Sequence, residues 1–168
     1  DLNFKIRSGE WIGIIGSNGS GESTLLKGIS KIIPIQNGDI LLNSSSIKVL
    51  STKGIAKIVS YLPQKINPNL PISVKELISL GRSPHKYFWE FDLNKYDLSI
   101  IDEALELCNL KEYSNVPLSS LSGGQCQRAY LALTIAQKTK ILLLDEPTTF
   151  LDINFQLQML DLIKTLNK

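Results

Sequence analysis

Three short stretches of the chain hold residues whose types and spacing could do chemistry. In the first, Gly16, Ser17, Asn18, Gly19, Ser20, Gly21, Glu22, Ser23 and Thr24 follow an apolar run and open a helical pattern. Glycines there let successive backbone N–H groups curl inward around an anion, and the start of a helix adds partial positive charge. Ser23 brings a hydroxyl of the kind that holds magnesium beside a bound phosphate. In the second, Asp145 and Glu146 end the apolar run Ile141-Leu142-Leu143-Leu144, at the strand end where open α/β sheets bind ligands. Asp145 suits magnesium, and Glu146 suits a general base that polarises an attacking water. In the third, Leu121-Ser122-Gly123-Gly124-Gln125 sets a hydroxyl and bare N–H groups at a helix start, a ready anion site.

Each stretch has a plainer reading. The first could be a glycine-rich strand-to-helix turn, the second an acidic turn, the third a capped helix through Ser122 and Gln125. A cap does not need two glycines, however, and an acidic strand end paired with a phosphate loop is hard to read as a mere turn.

One residue runs against the chemistry. The phosphate-loop pattern GxxxxGK[ST] asks for lysine where this chain has Glu22. Lysine neutralises phosphate, whereas glutamate repels it. At ~4 Å and an effective dielectric of ~20, a unit-charge pair is worth up to ~4 kcal/mol. Reversing the sign therefore costs on the order of several kcal/mol, or roughly a thousandfold in affinity, unless Glu22 swings out to solvent.

The elements that must position these residues are legible as patterns. Leu2 to Ile6 alternates like a strand, and Trp11-Ile12-Gly13-Ile14-Ile15 is a continuous apolar run of buried-strand length. Ser23 to Ser30 reads as a helix, and Asn37-Gly38-Asp39 as a turn into the strand Ile40-Leu41-Leu42. A short strand spans Ile58 to Leu62 and ends at Pro63-Gln64. Ser73 and Glu76 form a capping box for a helix from Val74 to Leu80, which Gly81-Arg82-Ser83-Pro84 ends. Asp97 to Cys108 has helical spacing, a helix runs from Ser122 to about Lys138, and a last helix begins near Asp152. Strands with following helices thus lie at both ends, with a helix-rich stretch between. The expectation is an α/β fold whose parallel-sheet core, residues 1–72 and 141–168, carries an inserted helical subdomain, residues 73–140.

Composition sets the bounds. The chain has 168 residues, is 43% hydrophobic and 20% charged, and carries a net charge of +2. That excludes a disordered tail and gives no electrostatic argument for a nucleic-acid partner. Cys108 and Cys126 form no metal-ligand pattern and read as small buried hydrophobes. No apolar run is long enough to span a bilayer, and no secretory signal is present. The chain begins at Asp1 within a strand-like run and stops at Lys168 within a helical one, so it reads as a fragment.

Leu121 to Gln125 reads LSGGQ, and with it the chain resembles the ATP-binding cassette (ABC) proteins. The order phosphate loop, Gln64, LSGGQ, Asp145-Glu146, then Phe150-Leu151-Asp152 is similar to that family from end to end. The resemblance implies a P-loop NTPase (RecA-like) core that binds ATP and Mg2+. Gly16 to Thr24 would cradle the phosphates of one nucleotide, and Ser23, Gln64 and Asp145 would serve the metal. Gln64 and Glu146 would act on the attacking water. Ser122, Gly123, Gly124 and Gln125 would meet ATP held by a second nucleotide-binding domain, and Asp152 would bridge the two sites. The family's adenine-stacking aromatic would lie before Asp1 and its switch histidine beyond Lys168. His85 precedes the LSGGQ segment and reads as a polar loop residue.

Tyr61-Leu62-Pro63-Gln64, Val74-Lys75-Glu76-Leu77 and Gly81-Arg82-Ser83-Pro84 resemble the importers of iron-siderophore, haem and cobalamin type. That branch implies an ATPase peripheral on the cytoplasmic face of the membrane, acting as a homodimer on permease subunits, with no nucleic acid. Tyr87, Phe88, Trp89 and Phe91 could help to build the permease dock, or could simply pack the helical subdomain. Two rival readings stay open: a degenerate cassette, disabled by Glu22, that lends its LSGGQ segment to a partner, and a soluble cassette acting on the ribosome.

Overall fold

The computed structural model describes residues 2–17, 19–87, 89–90, 92–148 and 153–166. Asn18, Phe88, Phe91, Phe150, Leu151 and Asp152, singled out above, lie outside the described residues.

The frame of the site is a parallel strand pair. Strand β3, Val59–Leu62, lies beside β4, Ile141–Leu144, in the register Val59↔Ile141 to Leu62↔Leu144. Both runs are mainly apolar, β3 largely buried and β4 half-buried. The ladder carries on past the strands, because the Asp145 N–H donates to the Leu62 carbonyl at 3.0 Å. The segments after β3 and β4 therefore leave the sheet side by side. The first helix, α1 (Glu22–Ile29), starts from Gly21, whose φ of 106° is a glycine conformation. A hairpin of β1 (Leu41–Leu42) and β2 (Ser45–Ser46) turns through Asn43 and Ser44, both at positive φ, the backbone of a type I′ turn. The short helix α2, Thr52–Ala56, leads into β3, and Ile55, Val59, Leu42 and Ile47 make a small core there.

Between β3 and β4 lies a helical block. Helix α3 (Val74–Ser79) has the expected capping box of Ser73 and Glu76. Helix α4 (Lys95–Leu107) has a further box of Asn94 and Asp97. Helix α5 (Gly123–Ala136) is capped by Ser122 and Gln125, and α6 spans Ile153–Leu166. The main core joins Val74, Leu77 and Ile78 of α3 to Ile101, Ala104 and Leu105 of α4, and to Ala129, Leu131 and Ala132 of α5. Leu62 of β3 and Met159 of α6 belong to the same cluster.

Three expectations are corrected. Residues 2–6 and 11–15 form no strand, and Trp11 and Ile15 are exposed, Ile15 by 96%. An apolar strand is stable only with ladder partners and covering layers. Among the described residues β4 pairs with β3 alone, so nothing engages 11–15. Gly81 to Pro84 do not end the helical path but continue it as a 3₁₀ segment, Leu80–His85. Gly81 is required there: a Cβ on it would lie 2.5 Å from the Leu133 carbonyl of α5. His85 is not a loop residue either: it ends that 3₁₀ segment, and its Nε2 lies 2.8 Å from the Gln137 carbonyl.

A buried ionic cluster locks this block to the strands. Arg82 Nε donates to Asp97 Oδ1 at 2.9 Å, and Lys86 Nζ meets Asp97 Oδ2 at 2.5 Å. Arg82 Nη1 also donates to the Ala136 carbonyl at 2.8 Å. One residue on, Gln137 Nε2 donates to the Ala56 and Val59 carbonyls, so the end of α5 is held to α4 on one side and to β3 on the other. Burial pushes the Asp97 carboxyl up, but the bonds from Lys86, Arg82 and the Asn94 N–H outweigh it and hold the group below its ordinary 3.8. Arg82→Ala is expected to lower unfolding free energy by about 3 kcal/mol in urea melts. The wild-type contribution should hold above the ordinary carboxylate range and fade as pH falls through the depressed Asp97 value.

Candidate functional site

Asp145 is the centre of the site. It follows β4 directly and is 5% exposed. Ser23, in the first turn of α1, donates its hydroxyl to Asp145 Oδ1 at 2.8 Å across 122 positions of chain. Tyr61 of β3 donates its phenol to Asp145 Oδ2, also at 2.8 Å. Both carboxylate oxygens thus take a hydroxyl, and the glycine-rich loop is brought to the end of the strand pair. Burial first, and then the bond to Asp145, raise the Tyr61 pKa well above its ordinary 10.0. Tyr61 was read from sequence only as part of a branch motif; nothing in a strand's alternation marks a phenol as the partner of a carboxylate that comes 84 residues later.

Gln64 is half-buried two residues beyond the end of β3, and Glu146 is exposed just beyond β4. The parallel pairing therefore sets both at the same sheet edge. Glu146 has φ 47°, in the left-handed region that non-glycine residues seldom adopt and that recurs at functional sites. Ser23 and Asp145 offer hard oxygen donors in contact, the donor set magnesium takes when it keeps waters and binds phosphate through few protein ligands. The residues present therefore fit that ion.

The glycine-rich loop is tightly folded. Gly19 and Gly21 have φ 83° and 106°, and the Ser20 N–H donates to the Ser17 carbonyl at 2.9 Å. Gly16, Ser17, Gly19, Ser20 and Thr24 are exposed, while Gly21, Glu22 and Ser23 are partly covered. The Glu22 side chain lies back against the loop, its Oε1 2.3 Å from where a Cβ on Gly16 would stand. The Ser20 hydroxyl first, and then the N–H groups of Glu22 and Gly21, lower its pKa from the ordinary 4.5.

Ser122 and Gly123 are exposed and Gly124 and Gln125 half-covered at the start of α5. Gln125 Oε1 accepts from the Ser122 N–H at 2.9 Å and the Gln125 N–H donates to Ser122 Oγ at 3.2 Å. The plain capping role is therefore real, and it leaves Gly123 open, with nothing within 4 Å of where its Cβ would stand. One turn on, Gln127 Nε2 reaches the Pro147 carbonyl beyond Glu146 at 3.4 Å. Cys108 and Cys126 are buried, and burial pushes the Cys108 thiol up to about 12 and the Cys126 thiol in the same direction, so both are inert thiols. Asn18 and Asp152, the remaining expected contacts, lie outside the described residues.

The profile of the family described as ABC transporter matches residues 1–149. The petrobactin import ATP-binding protein FpuC of Bacillus anthracis is 48% identical over 168 residues, all of this chain and 61% of that protein. The iron(3+)-hydroxamate import ATP-binding protein FhuC of Bacillus subtilis is 45% identical over all of this chain and 62% of its own length. The chain thus spans about three fifths of these relatives. Among solved structures, an inward-facing metal-chelate type ABC transporter superposes with a TM-score of 0.82 at 31% identity, over 99% of this chain and 61% of that one. A dimeric, post-hydrolysis ATP-binding cassette with ADP and Pi gives 0.83 at 26% identity, over 99% of this chain and 73% of that one.

The role of Asp145 as a shared acceptor can be measured. Tyr61→Phe is expected to cost about 1.5–3 kcal/mol of stability in urea melts, the range for a hydrogen bond to a charged group. In alkaline titration, the absorbance step that Tyr61→Phe removes should lie above 10.0. Because the fold favours the protonated phenol, stability should fall as pH rises from that ordinary value toward the raised one.

Proposed function

The chain belongs to the ABC transporter family, and from that premise we infer that it is the ATP-binding and ATP-hydrolysing part of an importer for iron-siderophore, haem or cobalamin. The observation that carries this reading is the bond between Ser23 and Asp145. It joins a phosphate loop to an acidic strand end, with the LSGGQ helix tied to the same end through Gln127 and Pro147. The siderophore and hydroxamate import named for FpuC and FhuC supports the choice of cargo.

In this reading residues 16–24 hold the phosphates of ATP by backbone N–H groups and the dipole of α1. Ser23, Asp145 and Gln64 hold Mg2+, which supplies positive charge against the phosphate oxygens. Glu146, at the exposed strand end, accepts a proton from the attacking water. Ser122, Gly123, Gly124 and Gln125 present their open face to nucleotide held by a second copy of the cassette, as the dimeric relative with ADP and Pi suggests, and Asp152 links the two sites. Residues 1–72 and 141–168 act as the nucleotide-binding core, and 73–140 as the helical subdomain. Tyr87 and Trp89 are exposed by 64% and 62% and stack at 5.0 Å. Their rings face solvent instead of filling the helical core, which favours a dock for permease subunits. The working place of such an ATPase is the cytoplasmic face of the membrane. No helix among the described residues is long and apolar enough to cross it.

Glu22 favours a second reading, a cassette with a weak site of its own that lends its LSGGQ segment to a competent partner. Hydrolysis of Mg-ATP by the intact protein decides between them. Turnover with Glu22 in place supports the first reading; turnover only in Glu22→Lys supports the second. In whichever form turns over, adding Glu146→Gln should lower the rate by roughly a hundredfold or more while nucleotide binding is kept. An unchanged rate would remove Glu146 from the proton transfer.

A further inference from the structure

The glycine-rich loop already holds an anion of its own. A Cβ built on Gly16 would run into both Ser20 Oγ and Glu22 Oε1, so these two oxygens lie directly against the Gly16 backbone. The Glu22 side chain has folded back from the first turn of α1 across the loop. The loop that it crosses is curled by Gly19 and Gly21 at positive φ and closed by the Ser20 N–H to the Ser17 carbonyl. The Ser20 hydroxyl, whose oxygen shares that space, and the N–H groups of Glu22 and Gly21 favour the charged carboxylate. These are the groups, with the positive end of the helix dipole, that a phosphate loop turns toward phosphate oxygens. The neighbouring hydroxyl, Ser23, is engaged elsewhere, on Asp145, so the metal side of the site is not involved.

We propose that Glu22 is a built-in competitor for nucleotide: its carboxylate occupies the phosphate position of the loop, and ATP binds only by displacing it. The proposal rests on the ATP-binding reading above and deepens it. It differs from simple repulsion. A charge that merely repels acts from wherever the side chain points, whereas an occupant must reach the donors. A lysine at this position could not take that place, because N–H donors and the positive helix end repel a cation; its side chain would be left to extend toward phosphate. Residue 22 therefore sets whether the loop stands open or filled.

Reach and charge can be separated by substitution in the intact protein. Glu22→Ala empties the loop. Glu22→Asp keeps the charge but is one methylene shorter, so that its carboxylate falls short of Ser20 and Gly16. Glu22→Lys restores the phosphate-loop pattern. Titration with a fluorescent ATP analogue in the presence of Mg2+ should show Glu22→Ala binding roughly tenfold or more tighter than the wild type, as expected when a carboxylate lying against the loop no longer has to be displaced. Glu22→Asp should recover more than half of that gain on a logarithmic scale. If Glu22→Asp binds as weakly as the wild type, the effect is repulsion and the occupancy is overturned; if Glu22→Ala binds no tighter, it is overturned as well. If even Glu22→Lys fails to bind while folded by circular dichroism, the ATP-binding reading itself falls. As an independent measure, the carboxyl carbon resonance of Glu22 should move on saturation with Mg-ATP. A resonance that stays put at saturation would mean that the carboxylate was never in the nucleotide's place.

Discussion

The structure depends on one buried carboxylate. Asp145 takes the Ser23 hydroxyl on one oxygen and the Tyr61 phenol on the other, while its own N–H extends the β3–β4 ladder to Leu62. Three segments far apart in the chain meet at this residue: the start of α1, strand β3 and the end of β4. Hydrogen bonds to an ionised group are worth about 1.5–3 kcal/mol each, and a buried carboxylate stripped of them would carry the full cost of desolvation. Fold and chemistry are coupled here, because the group that suits a metal is also the group that brings the glycine-rich loop to the strand end.

A second set of polar contacts fixes the helical block against this frame. Arg82 and Lys86 neutralise Asp97, and Arg82 also caps the Ala136 carbonyl at the end of α5. Gln137 then reaches the carbonyls before and within β3. The LSGGQ segment sits at the opposite, N-terminal end of the same helix. Any shift of the helical block would therefore move the Ser122-Gly123-Gly124 segment as a rigid body, since α3, α4 and α5 share one core. The close approach of Gly81 to the Leu133 carbonyl belongs to this mechanical link and has no chemistry of its own.

The position of Glu22 shows how one substitution can change a site in two ways. Exchanging lysine for glutamate removes a cation that phosphate needs. It also introduces a carboxylate that matches what the loop's own donors are built to hold. Local geometry makes the second effect possible, because the side chain leaves the first turn of α1 next to the hydroxyl of Ser20 and the bare face of Gly16. The preorganisation that makes a phosphate loop a good anion site acts on any anion within reach.

Short-range physics accounts for what can be read from the order of residues alone. The helix starts at Ser73 and Ser122 were legible because a capping box is closed within four residues, and both are formed. The runs at 58–62 and 141–144 were legible as strands from apolarity and length, and the two acidic residues after the second from their place at its end. The motif order carried the family. Tertiary structure decided the rest. It alone paired β3 with β4 and so set Gln64 beside the Asp145-Glu146 segment, and it made Tyr61 a partner of Asp145. It buried Arg82 on Asp97, and it left residues 11–15 outside any ladder. Those outcomes turn on which distant backbone edges and side chains meet. A strand's sequence states which faces want burial but not which neighbour supplies the hydrogen bonds, and a carboxylate's sequence states its charge but not whether solvent, a cation or a loop of N–H groups will hold it.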